Sequence, residues 1–455
     1  MSGNRLPPER ARAWMQEAQK LAPGAEVELA VEEVDSELTR FANNAIHQHV
    51  AENSLALSVR TQFDARMARA STHRLDGPGL REVVERALRL TRAQAPDPEL
   101  LPMAEPAVQT PVERWDEATA ALSPAQRAAS VGEMVAEAAP ARLTAAGVCA
   151  SQRHRFALLN SRGLEAFYAS TAAEFSVTML DANSSGWAKG SSYRWSDLAP
   201  AAGARLAAAK AMASADPREL PPGRYTAILE PAAVLDLLGF LMWDFGALSV
   251  LDQRSFLSDR VGAKLFGDNI SISDDAYHPL QTGAPFDGEG VPRRRVALVE
   301  QGWVRNLVYA RQTARQWNQR HPEAHAAPTG HGFPLPNEFG EGPLNLVMAG
   351  GGVPVEAMIA STERGILVTR LWYIREVDPY QKILTGMTRD GTFLIEDGCL
   401  RHGVRNFRFN QNMVELLNQV EALGPAVRAS GEESFDMVVP ALKVRGFNFT
   451  EVTRF

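Results

Sequence analysis

The chain has 455 residues, 45% of them hydrophobic and 22% charged, and a formal net charge of -7. At ~150 residues per domain this length predicts two or three domains, and the composition is that of an ordinary globular protein with sizeable cores. The negative balance leaves no broad basic field for a phosphate backbone, no stretch reaches the ~20 apolar residues that span a bilayer, and the two distant cysteines, Cys149 and Cys399, signal neither a disulfide framework nor a zinc knuckle. The expectation is a cytoplasmic protein with no nucleic-acid and no membrane partner.

Pro7 and Pro8 suit the first turn of a helix over 11–21. Val27, Leu29 and Val31 then alternate with glutamates, the period of a strand with one wet face. Further strands are expected at 38–41 and around Leu55, Leu57 and Val59, and Leu80, Val83, Val84, Ala87 and Leu88 mark one face of a helix. Residues 1–95 thus form an N-terminal α/β module. Five prolines (Pro96, Pro98, Pro102, Pro106, Pro111) predict a stiff, extended connector and a domain boundary.

A helix near 124–139, a meander of strands over 142–181 turning at Asn160-Ser161-Arg162-Gly163, and an alanine-rich helix over 201–213 make a central antiparallel β module with helices, 112–215. A second breaker over 216–223 opens the last unit, 224–455. There one strand and an apolar helix over 231–244 precede mostly short strands with glycine turns. The predicted class is α+β with a β-rich C-terminal domain.

No P-loop, dinucleotide fingerprint or nucleophile elbow occurs, and Gly350-Gly351-Gly352 reads as a turn. His47 and His49 project from one face of a strand, but a metal needs a third ligand, and a polar strand face explains them more cheaply. His321, Glu323, His325 and His331 are the richest donor cluster and would allow a stand-alone metal-dependent peptidase. Pro322, Pro328, Pro334 and Pro336 make that region a loop instead, one that contacts substrate at most. Asp287-Gly288-Glu289-Gly290 sets two carboxylates in a glycine turn, suited to acid/base work or to an amine terminus, beside the basic run Arg293-Arg294-Arg295.

The succession of segments is more specific than any one of them. Arg40-Phe41-Ala42-Asn43-Asn44-Ala45-Ile46-His47-Gln48, the helix from Pro231, Arg254-Ser255-Phe256-Leu257-Ser258-Asp259-Arg260-Val261-Gly262, Pro285 to Pro292, Thr329-Gly330-His331-Gly332 and Gly386 to Gly398 together resemble the TldD/PmbA family, also described as modulators of DNA gyrase. That resemblance implies a zinc metallopeptidase scaffold, with H-E-x-x-x-H on the helix after the first strand of the C-terminal domain and a cysteine near the C-terminus. The best register sets the motif over Gly239-Phe240-Leu241-Met242-Trp243-Asp244, with neither histidine nor the glutamate, and 435–444 lacks the cysteine. Phe, Leu and Trp offer no lone pairs to a borderline-soft cation.

The resemblance therefore implies a PmbA/TldE-like subunit with no catalytic residues, no metal and no cofactor of its own. Zinc is expected in a TldD-type partner, met as a heterodimer, with a homodimer as the other arrangement; the substrate is an unfolded peptide. Asp287, Glu289, Thr329 and His331 are the expected peptide-binding residues. A non-proteolytic peptide-binding protein on the same fold is the remaining alternative.

Overall fold

The computed structural model describes residues 6–453. Its first half runs α1 (Pro8–Leu21), β1 (Glu26–Ala42), β2 (Ala45–Phe63), β3 (Arg66–Thr72), α2 (Gly77–Ala93), α3 (Glu117–Ala120), α4 (Pro124–Ala136), β4 (Thr144–Asn160), β5 (Glu165–Leu180), β6 (Ser185–Ser192) and α5 (Pro200–Ala213). All six strands join one antiparallel sheet in the order β3-β2-β1-β4-β5-β6.

β1 is one strand of 17 residues, where the sequence suggests two. It is central, paired with β2 on one side and β4 on the other over nearly its whole length, so both rows of its backbone groups are satisfied and nothing stops it at Val34. The proline-rich stretch 95–111, expected as a domain boundary, consequently links two halves of one sheet. It lies against the sheet, with the Met103 N–H bonded to Glu26, the Leu101 carbonyl to Gln62 and the Ala104 carbonyl to Asn160.

Two separate cores explain why the sequence reads as two units. Ala11, Met15, Val83 and Val84 of α1 and α2 cover Val27, Leu29 and Val31 at one end of the long strands. Val131 and Met134 of α4 and Ala204, Ala207 and Ala211 of α5 cover Phe41, Ala145 and Val177 at the other. α5 approaches β6 so closely that a Cβ on Gly186 would lie 2.0 Å from the Ala207 carbonyl oxygen.

The second half comprises β7 (Gly223–Leu229), α6 (Pro231–Leu238), α7 (Ala247–Leu251), β8 (Ile272–Asp274), β9 (Val296–Glu300), β10 (Trp303–Val304), α8 (Arg311–Arg320), β11 (Leu346–Met348), α9 (Val355–Ala360), β12 (Arg364–Asp378), β13 (Ile383–Glu396), β14 (Cys399–Gly403), β15 (Phe407–Asn412), α10 (Met413–Asn418), β16 (Val420–Leu423), β17 (Val427–Ala429), β18 (Met437–Val439) and β19 (Leu442–Val452). One sheet is β10-β9-β8-β11-β18-β17; in the other, β12-β7-β19-β15-β13, the pairing of β12 with β13 closes a ring of strands. The protein is α+β. Among the described residues no helix is long and apolar enough to cross a membrane.

α6 is apolar on all sides because it packs between the two sheets, where Val234, Leu235 and Leu238 share one core with Ile272, Met437, Val368 and Phe449. The helix expected over 231–244 ends at Leu238. Beyond it the bonds Leu241 N–H to Leu238 O and Asp244 N–H to Leu241 O tighten the backbone into a 3-10 turn, Met242–Phe245.

Candidate functional site

The end of α6 and the turn after it form a wall at which four segments meet. Gly239 lies against the loop after β17: a Cβ there would sit 2.1 Å from Ser434 Oγ. Leu241 and Met242 are buried, while Trp243 is 47% exposed and rests on Phe333 and on Phe339, itself 56% exposed, with ring centroids 5.8 and 6.1 Å away. Asp244 turns inward to an ion pair with Lys382; its Oδ1 also accepts the Phe256 N–H at 3.1 Å. Burial pushes the Asp244 carboxyl up, and Lys382 offsets part of that shift.

Asp236 lies eight residues earlier, on α6, fully buried. Oδ1 accepts the Glu433 N–H at 3.3 Å and Oδ2 has no hydrogen-bond partner, so burial pushes this carboxyl up to about 7. Glu433 in turn accepts the Tyr373 and Ile374 N–H groups at 2.9 and 3.3 Å, which pins the loop to β12. Lys189 of β6 holds the same loop through the Gly431 carbonyl at 3.0 Å and Glu432 at 3.5 Å.

Zinc is the cation the H-E-x-x-x-H register would call for, and the residues here do not fit it. Position 239 has no room for an imidazole, Phe240, Leu241 and Trp243 offer a metal no lone pair, the buried Met242 offers only a thioether, and Asp244 already faces an ammonium. Among the described residues no group of three or more His, Cys, Asp or Glu side chains could hold a metal ion.

Beside this wall the sheet meets the C-terminal domain along a groove lined by both polar and apolar side chains. Cavities of about 600 and about 220 Å³ share Ser191, Ser192, Thr282 and Arg428. Arg428 Nε donates to Ser191 Oγ at 3.0 Å, its Nη1 to the Leu280 carbonyl at 2.9 Å and its Nη2 to Asp436 Oδ2 at 2.8 Å. Small side chains such as Ser36, Ala150 and Ala172 leave the floor of the narrower cavity low.

The residues expected to bind peptide come together elsewhere, and their polar atoms are engaged internally. Asp287 Oδ1 accepts the Glu289 and Val291 N–H groups at 2.9 Å each and Oδ2 the Gly332 N–H at 2.8 Å. Glu289 meets the Arg311 N–H at 3.3 Å and its guanidinium at 3.4 Å. Thr329 bonds Tyr309, and His331, 1% exposed, sits between Thr329 Oγ1 and Asp274 Oδ1, both at 2.9 Å. The four lie in one corner at the start of α8, with Asp287, Glu289 and His331 buried and Thr329 partly exposed.

Burial and the charge of Glu289 push Asp287 up to about 7. Burial also pushes up Glu341, another carboxylate at the start of α8, to about 7. Burial opposes ionisation of Asp274 too, but His331 outweighs it and holds that carboxyl below its usual range.

His321, Glu323 and His325 lie exposed on the loop after α8 while His331 is buried, so the structure does not assemble this cluster as a ligand set. His47 and His49 are exposed on β2, and His49 bonds Thr39. Arg293 is near enough to Asp287 to oppose its shift, whereas Arg294 and Arg295 are exposed. Sequence reasoning missed Asp236, Lys382 and Arg428. The signal for the first was present: a carboxylate inside an otherwise apolar helix demands an internal partner.

These features define a class, an α+β scaffold with a buried central helix and a groove against a long sheet. Models of PmbA/TldA metallopeptidase domains match it along its length: domain 1 over 27–91, the central domain over 73–215 and the C-terminal domain over 222–451. The chain belongs to this family.

Its fold is shared with TldE from Thermococcus kodakarensis, at 20% identity and a TM-score of 0.86 over 96% of this chain and 99% of that one. It is shared equally with a protein described as a modulator of DNA gyrase from Thermotoga maritima MSB8, at 21% identity and 0.85 over 97% and 99%. An uncharacterized protein of Methanocaldococcus jannaschii is 38% identical over 84 residues, 18% of this chain and 20% of that protein. A metalloprotease of Methanothermobacter thermautotrophicus is 23% identical over 222 residues, 46% of this chain and 44% of that protein. The matched stretches thus span less than half of either curated relative.

Proposed function

We propose that this chain is the non-catalytic, TldE-like subunit of a zinc metallopeptidase that cuts unfolded peptides. In this reading a TldD-type partner carries the zinc and the general base, and this chain supplies part of the wall of the shared cleft. One observation carries the reading: the six positions where the zinc motif would fall are occupied by a glycine against Ser434, four residues that are none of His, Cys, Asp or Glu, and an aspartate paired with Lys382. The likeness in fold to TldE supports it.

The groove lined by Ser191, Thr282 and Arg428 is assigned to peptide in place of Asp287, Glu289, Thr329 and His331, because it has volume, whereas Asp287, Glu289 and His331 are buried. Co-expression with a TldD-type subunit tests the reading. The pair should co-purify and hydrolyse an unfolded peptide in a chelator-sensitive way, and this chain alone should not. A lone chain that digests peptide until chelator is added, or a TldD-type subunit that neither binds this chain nor gains activity from it, would sink the assignment.

A further inference from the structure

Lys382 stands in the turn between β12 and β13 with its backbone in the left-handed region, φ 53°, and its side chain directed into the protein, 3% exposed. Lysine is almost never buried to that degree without charge partners. Here the ammonium contacts Asp244 Oδ2 on the turn after α6 and Glu376 Oε1 of β12 at 2.5 Å, and lies 5.9 Å from the centre of the Phe256 ring. Asp244 extends the link, accepting the Phe256 N–H at its Oδ1 and the Ser255 hydroxyl at its backbone carbonyl, 2.9 Å away. One positive charge therefore ties together the turn after α6, the segment at 255–256 and the β12–β13 hairpin.

We propose that Lys382 is the resident cation of this wall: its ammonium, held by Asp244 and Glu376, does the cross-linking that a structural metal ion would do, and its removal leaves a two-carboxylate seat that attracts a divalent ion. Charge explains both halves. With Lys382 the three groups carry a net single negative charge, relieved by the partial exposure of Glu376; without it, two carboxylates face each other with no counter-ion. The inference goes beyond the paired-subunit reading and is tested on this chain alone, so a failure of co-purification leaves it untouched.

Thermal melts of the full chain decide it. The wild type should melt at the same temperature with EDTA and with added Mn2+ or Zn2+. Lys382→Ala should lower the melting temperature by roughly 5 °C and regain part of the loss with Mn2+ or Zn2+. The double variant Asp244→Asn/Lys382→Met, neutral at both positions, should recover much of the loss without metal and ignore divalent ions. A wild type destabilised by EDTA, a Lys382→Ala chain as stable as the wild type or indifferent to both ions, or a double variant no better than Lys382→Ala would each overturn the proposal.

Discussion

The long sheet pairs its buried carboxylates with guanidiniums, whereas two buried carboxylates of the second half, Asp236 and Asp287, make no ion pair among the described residues. On the sheet the antiparallel register sets cations opposite anions: Glu28 faces Arg60, Glu33 faces Arg155 and Asp35 faces Arg153. Glu28, 1% exposed, takes a two-pronged contact from Arg60 at 2.6 and 3.2 Å and a third from Arg69 at 2.5 Å. Burial opposes its charge, but the two guanidiniums outweigh burial and hold its carboxyl below the usual range. Asp236 on α6 and Asp287 in the corner at the start of α8 receive mainly backbone N–H groups, and burial wins, pushing both up to about 7.

The two regions should therefore answer pH in opposite directions. A carboxyl whose folded pKa is depressed adds stability that is present above its unfolded pKa and lost as pH falls through the folded value; that describes the sheet at acid pH. A carboxyl raised to about 7 binds its proton more tightly when folded, so the contribution of Asp236 and Asp287 declines as pH climbs from about 4 to about 7 and stays low above that.

The largest effect should come from removing one of the two guanidiniums that hold Glu28. Arg60→Met leaves Glu28 buried with only Arg69, and a loss on the order of 3–5 kcal/mol in denaturant unfolding at pH 7 is expected; a loss under about 1 kcal/mol would mean that Arg69 alone suffices. Next comes Asp236→Asn, which keeps the bond from the Glu433 N–H and removes the ionisable group. It should stabilise the chain by on the order of 2 kcal/mol at pH 8 and by little at pH 5. An equal effect at both pH values would show that Asp236 does not titrate between them.

Gly239→Ala should cost about 1–3 kcal/mol by driving a methyl group into Ser434, and Ser434→Gly should relieve most of that cost in the double variant. If the single change is neutral, the loop is not held against α6 as described. The smallest effect belongs to the exposed loop. His325→Asn, which keeps a residue tolerant of the observed φ of 48°, should change stability by less than about 0.5 kcal/mol and leave metal content unchanged. Loss of a stoichiometric metal ion in that variant would restore the stand-alone peptidase.

The helices were legible wherever a proline opened them and one apolar face ran through them, as in α1, α2, α4 and α5. The lack of H-E-x-x-x-H at 239–244 was legible too, since a residue type is either in the sequence or not. The candidate site was read less well. Asp287, Glu289, Thr329 and His331 do meet in space, but nothing in their spacing tells a carboxylate open to a cleft from one satisfied by Gly332, Val291 and Arg311.

Side-chain types and local periodicity follow from the order of residues, and they set the α+β class, five of the ten described α-helices and the absence of a zinc motif. Pairings between distant segments do not. That β1 lies between β2 and β4, so that one sheet spans the proline-rich connector, and that Lys382 reaches Asp244 were decided by tertiary packing. The physical reason is the same in both cases: a strand edge or a buried charge must find a partner, and which partner it finds depends on what the fold brings within a few ångströms.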